Sequence, residues 1–366
     1  MNRLRFLLLG SLSVAACSSG GESACADGSE GCPCYGNDTC DDSMVCNPHS
    51  VCVVHDVSGT DAGDGASGGS LPEQCELFPA NLAVDTTIPA GCYTVRSFPS
   101  MDEGVDVTLS AGVTLTFTEG VWFEIPYQGS LLTLGTREAP VVFTSANEQR
   151  GSWGGILAPR GSIELNHTIV EYAGAEIPGT ERMGCVSDIA AGVRVGSGDY
   201  ASIRNSTLRN NRGAGAAFAV SECLEVEFDE NTLTGNDLPL VTSAHALDAL
   251  GRANGFGGNT KDHIQLVSDH TGGAATWGDL GVPIFASRGL TVESSLVLTA
   301  GVTIQFTPGT RLVVEGSLLA SGTEEHPVVL ESVEAGEAWK GVECADDGSV
   351  DLSNTVLVDA PATACD

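Results

Sequence analysis

The chain contains a long internal duplication, and this limits the folds open to it more than any other feature. The run AGVTLTFTEG returns as AGVTIQFTPG, and the segments after it return in the same order with small length differences. The matched segments are residues 111–120 with 300–309, 129–132 with 316–319, 135–142 with 322–329, and 153–156 with 339–342. A match of this length and order indicates a duplicated module, with copies near residues 104–175 and 293–360.

A finer repeat lies between the copies. Thr207, Thr232 and Gly255 are equivalent positions, 25 and 23 residues apart, each preceded by Asn or Ser. A period in the low twenties, made of short apolar runs without helical periodicity, predicts an all-β solenoid. Asn suits its corners, because it tolerates a left-handed backbone and its amide can stack on an amide in the next coil. About ten to thirteen coils at roughly 4.8 Å each would span roughly 50–60 Å.

The repeats resemble a known fold family. Residues 258–264 and 276–283, which lead into the second AGVT run, are similar to a passage in large bacterial proteins with right-handed parallel β-helix, pectate-lyase-like repeats. The resemblance covers roughly residues 80–362 and implies a right-handed parallel β-helix. It implies little about activity, because this fold hosts enzymes and adhesins alike.

The first residues predict export. Arg3 and Arg5 precede an apolar run, residues 6–14, that is too short to span a bilayer. Residues 14–17, Val-Ala-Ala-Cys, resemble the bacterial lipobox. This resemblance implies a signal peptide over 1–16, a multiply acylated Cys17, and, because Ser18 follows, the outer membrane or cell surface. The alternative is an ordinary signal peptide with a cysteine nearby.

The 13 cysteines fit an oxidising compartment. Lipidation of Cys17 would leave an even set of twelve. Three local pairs are predicted as structural disulfides, and the other six fall in one dense group of open connectivity. The pairs are Cys75/Cys92, Cys185/Cys223 and Cys344/Cys365, and the group is Cys25, Cys32, Cys34, Cys40, Cys46 and Cys52. A zinc site with His49 and His55 is the alternative for the group.

These features divide the chain. The predicted order is a tether over 17–24, a Cys-rich module of loosely EGF-like style over 25–56, a flexible linker over 57–71, and the β-helix over 72–366. The terminal pairs Cys75/Cys92 and Cys344/Cys365 would each close a loop of about one coil. Each should contribute on the order of 3 kcal/mol by the loop-entropy estimate.

The net charge of the chain restricts which molecules it can bind. The formal net charge is −32, and removal of residues 1–16, which contain two arginines and no acids, makes it −34. Such a surface repels nucleic acid. It also repels acidic polysaccharides, unless calcium bridges the two. Adaptation for solubility or salt explains the charge equally well.

The catalytic sets implied by the β-helix family are missing. Its lyases use an Arg or Lys beside calcium-binding carboxylates, whereas this chain has only Lys261 and Lys340 as lysines. Of the hydrolase motifs only Asp346-Asp347 is present. A lone pair of carboxylates is weak evidence for glycoside hydrolysis.

The strongest acidic strip is Glu225, Glu227 and Asp229, which strand alternation places outside the solenoid. It is predicted as a ligand or calcium strip, or alternatively as a ladder in which Arg204, Asp229 and Arg252 alternate in charge. We prefer the ladder.

Two further groups are weaker candidates. The His and Asp residues that could form a metal or acid–base site are His245, Asp248, Asp262, His263 and His270. The aromatic residues predicted as exposed sugar platforms are Trp122, Tyr127 and Trp277, whereas Trp153 and Trp339, which recur in the repeat, are predicted in the core or at corners.

The sequence therefore predicts a lipid-anchored scaffold without enzymatic activity, which binds glycans or envelope proteins and needs no cofactor. The alternatives are a polysaccharide lyase or hydrolase with an unfamiliar site, and a spacer without a ligand.

Overall fold

The computed structural model describes residues 44–46, 52–54, 75–177, 189–196, 200–218, 225–251, 253–361 and 365. The chain divides into two compact units, residues 1–58 and 59–366. In the first unit, strands β1 (Met44–Cys46) and β2 (Cys52–Val54) form an antiparallel pair in which Cys46 lies opposite Cys52. The predicted Cys25, Cys32, Cys34, Cys40, Cys185 and Cys223, and the lipidation site Cys17, lie outside the described residues.

The second unit is a parallel β-helix, which confirms the predicted fold class. Every strand of its sheets pairs in parallel with strands about one coil away in sequence. The long sheet contains ten strands: β10 (Trp122–Glu124), β13 (Gly155–Ala158), β16 (Ala191–Val195), β19 (Ala214–Phe218), β22 (Leu238–Thr242), β23 (Ile264–Leu266), β25 (Ile284–Ala286), β28 (Thr303–Phe306), β31 (Val328–Ser332) and β34 (Thr355–Leu357).

Two sheets accompany the first part of the long sheet. Sheet B contains β5 (Thr86–Ile88), β8 (Asp106–Ser110), β11 (Ser130–Leu134), β14 (Ser162–Asn166), β17 (Tyr200–Arg204) and β20 (Glu225–Asp229). Sheet C contains β3 (Glu76–Leu77), β6 (Gly91–Val95), β9 (Val113–Phe117), β12 (Val141–Ser145), β15 (Thr168–Glu171), β18 (Thr207–Arg209) and β21 (Thr232–Thr234). The short strands β4 (Asn81–Leu82) and β7 (Ser100–Met101) form a further pair.

Two other sheets accompany the second part. Sheet D contains β24 (Ala275–Trp277), β27 (Ser295–Thr299), β30 (Ser317–Ser321) and β33 (Ser349–Ser353). Sheet E contains β26 (Leu290–Val292), β29 (Leu312–Val314) and β32 (Val342–Cys344). After β22 a 3-10 helix, Ala244–Ala249, takes the place where the winding order would put the next strand of sheet B.

Alternation along each strand builds the core. In sheet B, Val107, Leu131, Ile163 and Ala201 lie one above the other, and all four are at most 1% exposed. The residues between them point outward. The inner rows thus form one continuous apolar column, because parallel pairing in register places equivalent residues directly above one another.

The two copies of the module use different faces of the solenoid. The repeated strand Val113–Phe117 lies in sheet C, whereas its equivalent Thr303–Phe306 lies in the long sheet. The next repeated strand, Trp122–Glu124, lies in the long sheet, and its equivalent Leu312–Val314 lies in sheet E. The second copy is therefore displaced by one face around the coil.

The packing inside the copies is nevertheless the same. Trp153 stacks on Phe117 with ring centroids 4.1 Å apart, and the equivalent Trp339 stacks on Phe306 at 4.3 Å. Both indole N–H groups donate to backbone carbonyls, at 2.8 and 2.9 Å. Trp153 and Trp339 are 0% and 1% exposed, so the prediction of core packing for both is confirmed.

Asparagine ladders hold the corners of the middle coils. Asn236 Nδ2 donates to the carbonyl of Leu208 at 2.9 Å and to Asn259 Oδ1 at 3.1 Å, and its Oδ1 accepts from the backbone and side chain of Asn211. Gly192 leaves the room this ladder needs, since a Cβ there would lie 2.9 Å from Asn211 Nδ2.

A second ladder joins Ser206, Asn231 and Asn254, with backbone N–H to side-chain oxygen distances of 3.0 Å. Thr207 pairs with Thr232 and Thr232 bridges to Gly255, so the predicted spacing of 25 and 23 residues is confirmed.

The ends of the described solenoid carry two of the predicted disulfides. Cys75–Cys92 joins β6 to the residue before β3, with a Cα–Cα distance of 4.7 Å, and Cys344–Cys365 has a distance of 5.1 Å. In the first coil Phe78, Leu82 and Ile88 are at most 7% exposed. The inner residues of the last coil, in β33 and β34, are only partly buried.

We predict that Asn236→Leu lowers the free energy of unfolding by about 3 kcal/mol, because it leaves buried amide and carbonyl groups of the adjacent coils without partners. Urea unfolding followed by circular dichroism measures this. Asn81→Ala, an exposed position in β4, is the control. Equal unfolding midpoints for the two variants would show that the ladder does not stabilise the solenoid.

Candidate functional site

The predicted acidic strip lies on the last strand of sheet B, β20. Phe228 is buried and Val226 is half-buried, whereas Glu225 is exposed and Glu227 and Asp229 are partly exposed. The predicted alternation of these residues is therefore correct.

The strand beneath this strip supplies three polar side chains. Tyr200, Ser202 and Arg204 point outward from β17, because Ala201 and Ile203 between them are fully buried. The strands pair in register, so Ser202 lies directly below Glu227. Tyr200 lies below Glu225, and Arg204 below Asp229.

All three side chains donate to one carboxylate oxygen. The Tyr200 hydroxyl lies 2.7 Å from Glu227 Oε2, the Ser202 hydroxyl lies 3.2 Å away, and Arg204 forms an ion pair with the same oxygen. We call these four residues the Glu227 cluster. Among the described residues no donor is directed to Glu227 Oε1. The cluster therefore holds a partly exposed carboxylate by one of its two oxygens.

The contacts within the cluster also shift the pKa values of Glu227 and Tyr200. The pKa of Glu227 lies below its ordinary value, mainly because Tyr200 donates a hydrogen bond to the charged form and because Arg204 is close; partial desolvation acts in the opposite direction. Burial raises the pKa of Tyr200, and the hydrogen bond to Glu227 and the charges of Glu227 and Glu164 raise it further. At neutral pH the cluster combines a carboxylate, a neutral phenol and a guanidinium.

The predicted charge ladder is partly wrong. Arg204 and Asp229 are aligned as predicted, but the ion pair of Arg204 is with Glu227. The long Arg side chain reaches the diagonal neighbour, where Tyr200 and Ser202 already hold the carboxylate. Asp229 instead accepts from the backbone N–H of Ala253 at 3.3 Å. Arg252 lies outside the described residues.

A second carboxylate is held in a similar way on sheet C. Glu171 accepts from Thr144 at 2.9 Å and from Arg209 at 2.8 Å. Its side chain is 11% exposed, whereas that of Glu227 is 38% exposed. Carboxylates bonded across coils therefore stabilise the sheets at both places, but Glu227 is the more accessible to a ligand.

The surface around the cluster carries further binding groups. Glu164 lies directly below Ser202 in the outward row of sheet B. Before the first residues of β14 and β11, on lower coils of this sheet, the Arg160 guanidinium lies over the ring of Tyr127, 5.2 Å from its centroid. Tyr127 is 43% exposed.

Of the predicted aromatic platforms, Tyr127 is therefore accessible. Trp122 is half-buried against Phe98, with centroids 4.9 Å apart, and its N–H donates to Glu124. The prediction of an exposed Trp277 is wrong: it is 1% exposed, since the alternation of β24 turns Ala275 and Trp277 inward.

The remaining sequence candidates do not form a site. Asp346 and Asp347 are exposed in the turn between β32 and β33. Asp262 accepts backbone N–H bonds from Gly258 and Asn259, and these bonds lower its pKa. His263 packs on Phe285 and its pKa is lowered by burial.

The other three His and Asp candidates, Asp248, His270 and His245, also do not form a site together. Asp248 accepts the backbone N–H of Thr276 at 2.8 Å, and His270 lies 3.1 Å from Asp269. His245 is exposed. Within the part of the chain that the structure describes, no three His, Cys, Asp or Glu side chains are grouped so that they could hold a metal ion.

The outer face of the long sheet is largely closed in its middle. Ala191, Ala214, Ala217 and Val241 form a buried apolar cluster. Arg194 is buried beside them and donates to the carbonyls of two residues, Gly154 and Ala175, at 3.2 and 3.1 Å. Burial lowers the pKa of Arg194 to about 10. The Arg194 side chain therefore links residue 175 to the sheet by a hydrogen bond and is not accessible to a ligand.

Among the described residues, no helix has the length and hydropathy needed to cross a membrane.

Comparison with known proteins supports the fold. A family model described as a pectate-lyase like beta helix domain matches residues 81–196. The match includes Tyr127, Arg160 and Glu164 and ends before Tyr200. No curated protein and no solved structure matches the chain.

Sequence reasoning identified Glu227 but missed Tyr200 and Ser202. The signal was present, because Tyr-x-Ser-x-Arg precedes Glu-x-Glu-x-Asp by 25 residues, the spacing of the fine repeat. Placing one strand above the other would have brought them together.

We expect Tyr200→Phe to raise the pKa of Glu227 towards its ordinary value, because the bond that stabilises its charged form is lost. Carboxyl chemical shifts measured by NMR during a pH titration report this. In the unmodified protein the stabilisation from the ionised cluster is present above the ordinary carboxyl pKa and is lost as pH falls through the lowered pKa. Tyr127→Phe is the control, and an identical Glu227 titration in both variants would contradict the assignment.

Proposed function

We propose that this protein is a lipid-anchored binding scaffold of the bacterial outer membrane or cell surface, and that it binds glycans through the outer face of sheet B. The observation that carries the proposal is the convergence of Tyr200, Ser202 and Arg204 on the accessible carboxylate of Glu227. Binding sites commonly use a few fixed polar groups of this kind to orient a ligand.

The chemistry of the face suits sugar rings. A carboxylate oxygen and a guanidinium can bond to sugar hydroxyls, and charged partners strengthen such bonds. Tyr127 and the partly exposed Tyr200 add aromatic surface. A flat row of side chains repeated about every 4.8 Å also suits an extended polymer better than a small compact molecule.

The charge of the face selects among glycans. Sheet B carries Glu164, Glu225, Glu227 and Asp229 near the cluster, against Arg204 and the flanking Arg160. This excess of carboxylates, on a chain of net charge −32, disfavours acidic polysaccharides. We therefore expect neutral or amine-bearing glycans to bind best.

An enzymatic alternative rests on one observation. Glu164 and Glu227 lie on the same outward row, two strands apart, with Ser202 between them. Two strand spacings correspond to about 9.6 Å, near the upper limit of roughly 9.5 Å for the carboxyl pair of an inverting glycoside hydrolase. The match to a pectate-lyase like family makes a lyase the other enzymatic possibility.

We expect the full-length chain, in non-ionic detergent, to migrate more slowly in gels that contain a neutral or amine-bearing glycan. Glu227→Gln should weaken this binding roughly 10- to 100-fold, since bonds to charged groups contribute about 1.5–3 kcal/mol. Glu343→Gln removes an equivalent Arg–Glu pair, 2.7 Å from Arg311 on sheet E, and should leave binding unchanged.

Each other outcome is informative. An equal loss of glycan binding in Glu227→Gln and Glu343→Gln would exclude sheet B as the binding face. New reducing ends or ultraviolet-absorbing unsaturated products, assayed with and without calcium, that vanish in Glu227→Gln would replace the binding function with hydrolysis or lyase activity. Absence of binding to every glycan would leave a protein partner or a spacer.

The membrane anchor is tested separately. We expect Cys17→Ser to abolish incorporation of labelled palmitate and to move the protein from the membrane to the soluble fraction, because stable anchoring requires more than one acyl chain. Ser18→Ala is the control. Labelled Cys17→Ser protein would contradict lipidation at this residue.

A further inference from the structure

The solenoid changes its set of sheets at one place. Sheets B and C end at β20 and β21, and sheets D and E begin at β24 and β26. The long sheet alone continues across this junction, through β22, β23 and β25. We call residues 242–277 the junction.

Unpaired polar atoms concentrate there. Among the described residues, five buried side-chain nitrogen or oxygen atoms make no hydrogen bond, and four of the five belong to the junction. These four are Thr242 Oγ1, Ser243 Oγ, Thr271 Oγ1 and Trp277 Nε1. Their residues are 0%, 6%, 1% and 1% exposed.

The four residues occupy adjacent layers. Thr242 pairs with Leu266 of the next coil, and its carbonyl accepts from Val267 N at 2.9 Å. Ser243 is directly followed by the 3-10 helix, whose first N–H bonds to Ser268 Oγ at 2.9 Å.

Trp277 lies on the strand that is bonded to the same helix. The backbone N–H of Thr276 donates to Asp248, near the end of the helix, at 2.8 Å. Thr271 lies between Ser268 and this strand along the chain, and its backbone N–H bonds to the carbonyl of Thr291.

We infer that the junction is a binding site for ordered water inside the solenoid. Leaving a buried hydroxyl or indole N–H unpaired is unfavourable, and such groups in folded proteins are generally bonded to protein or to buried water. Three hydroxyls can each donate and accept, and the indole can donate. Water, which also does both, complements this set.

The chemistry favours water over an ion as the ligand. The unpaired groups are all neutral, and the nearby acids Asp248 and Asp269 are exposed. An ion enclosed by neutral hydroxyls alone would lose its hydration without an opposite charge. The site is separate from the Glu227 cluster and does not depend on the proposed function.

The sign of a melting-temperature shift tests the inference. Val has nearly the shape of Thr, so Thr242→Val and Thr271→Val should leave stability unchanged or raise it if the hydroxyls are dry. If the hydroxyls bind water, both variants should lower the melting temperature of the full-length chain. Thr168→Val is the control, because Thr168 is fully buried and its hydroxyl is 2.7 Å from that of Thr133.

We expect Thr242→Val and Thr271→Val to melt below the unmodified protein, as Thr168→Val does. An unchanged or higher melting temperature for both, with Thr168→Val lowered, would overturn the inference. A high-resolution crystal structure is the second measurement. Water density within about 3.2 Å of these atoms supports the site, and a dry, fully enclosed junction refutes it.

Discussion

The vertical register of a parallel solenoid is the constraint on which the rest of the structure depends. Backbone hydrogen bonds between coils place each residue about 4.8 Å from its equivalent in the next coil, so every side chain must fit the one above it. Inside, this produces apolar columns such as Val107, Leu131 and Ile163. At the corners it produces the Asn211–Asn236 ladder. Outside, it brings acids of one coil over bases and hydroxyls of another.

The same register explains how a strongly acidic chain forms a regular surface. Glu171 and Glu227 are each held by an Arg and at least one hydroxyl from neighbouring strands. Exposed ion pairs alone stabilise little, but a carboxylate that accepts several bonds at a fixed position is already oriented before a ligand arrives. Where such a carboxylate stays accessible, as at Glu227, it can contact a ligand without first being reoriented.

The duplicated module and the register between coils do not match at the junction. The second copy keeps the internal Phe–Trp stack of the first but lies one face further round the coil. Sheets B and C therefore end and sheets D and E begin, and the coil between them contains a 3-10 helix in place of a strand. Among the described residues of this coil and the next, four buried polar atoms form no hydrogen bond within the protein.

From the sequence alone the all-β solenoid, the period of 25 and 23 residues and the two described disulfides could be predicted, because each is a local pattern or a spacing; the parallel winding was implied by the family resemblance. The outward position of Glu227 also follows from alternation. Its partners Tyr200 and Ser202, the inward position of Trp277 and the displacement of the second copy could not be read in this way. These features depend on which strand lies above which. That stacking depends on the number of residues in each coil and on where the chain shifts by one face of the solenoid. Only the tertiary structure determines both.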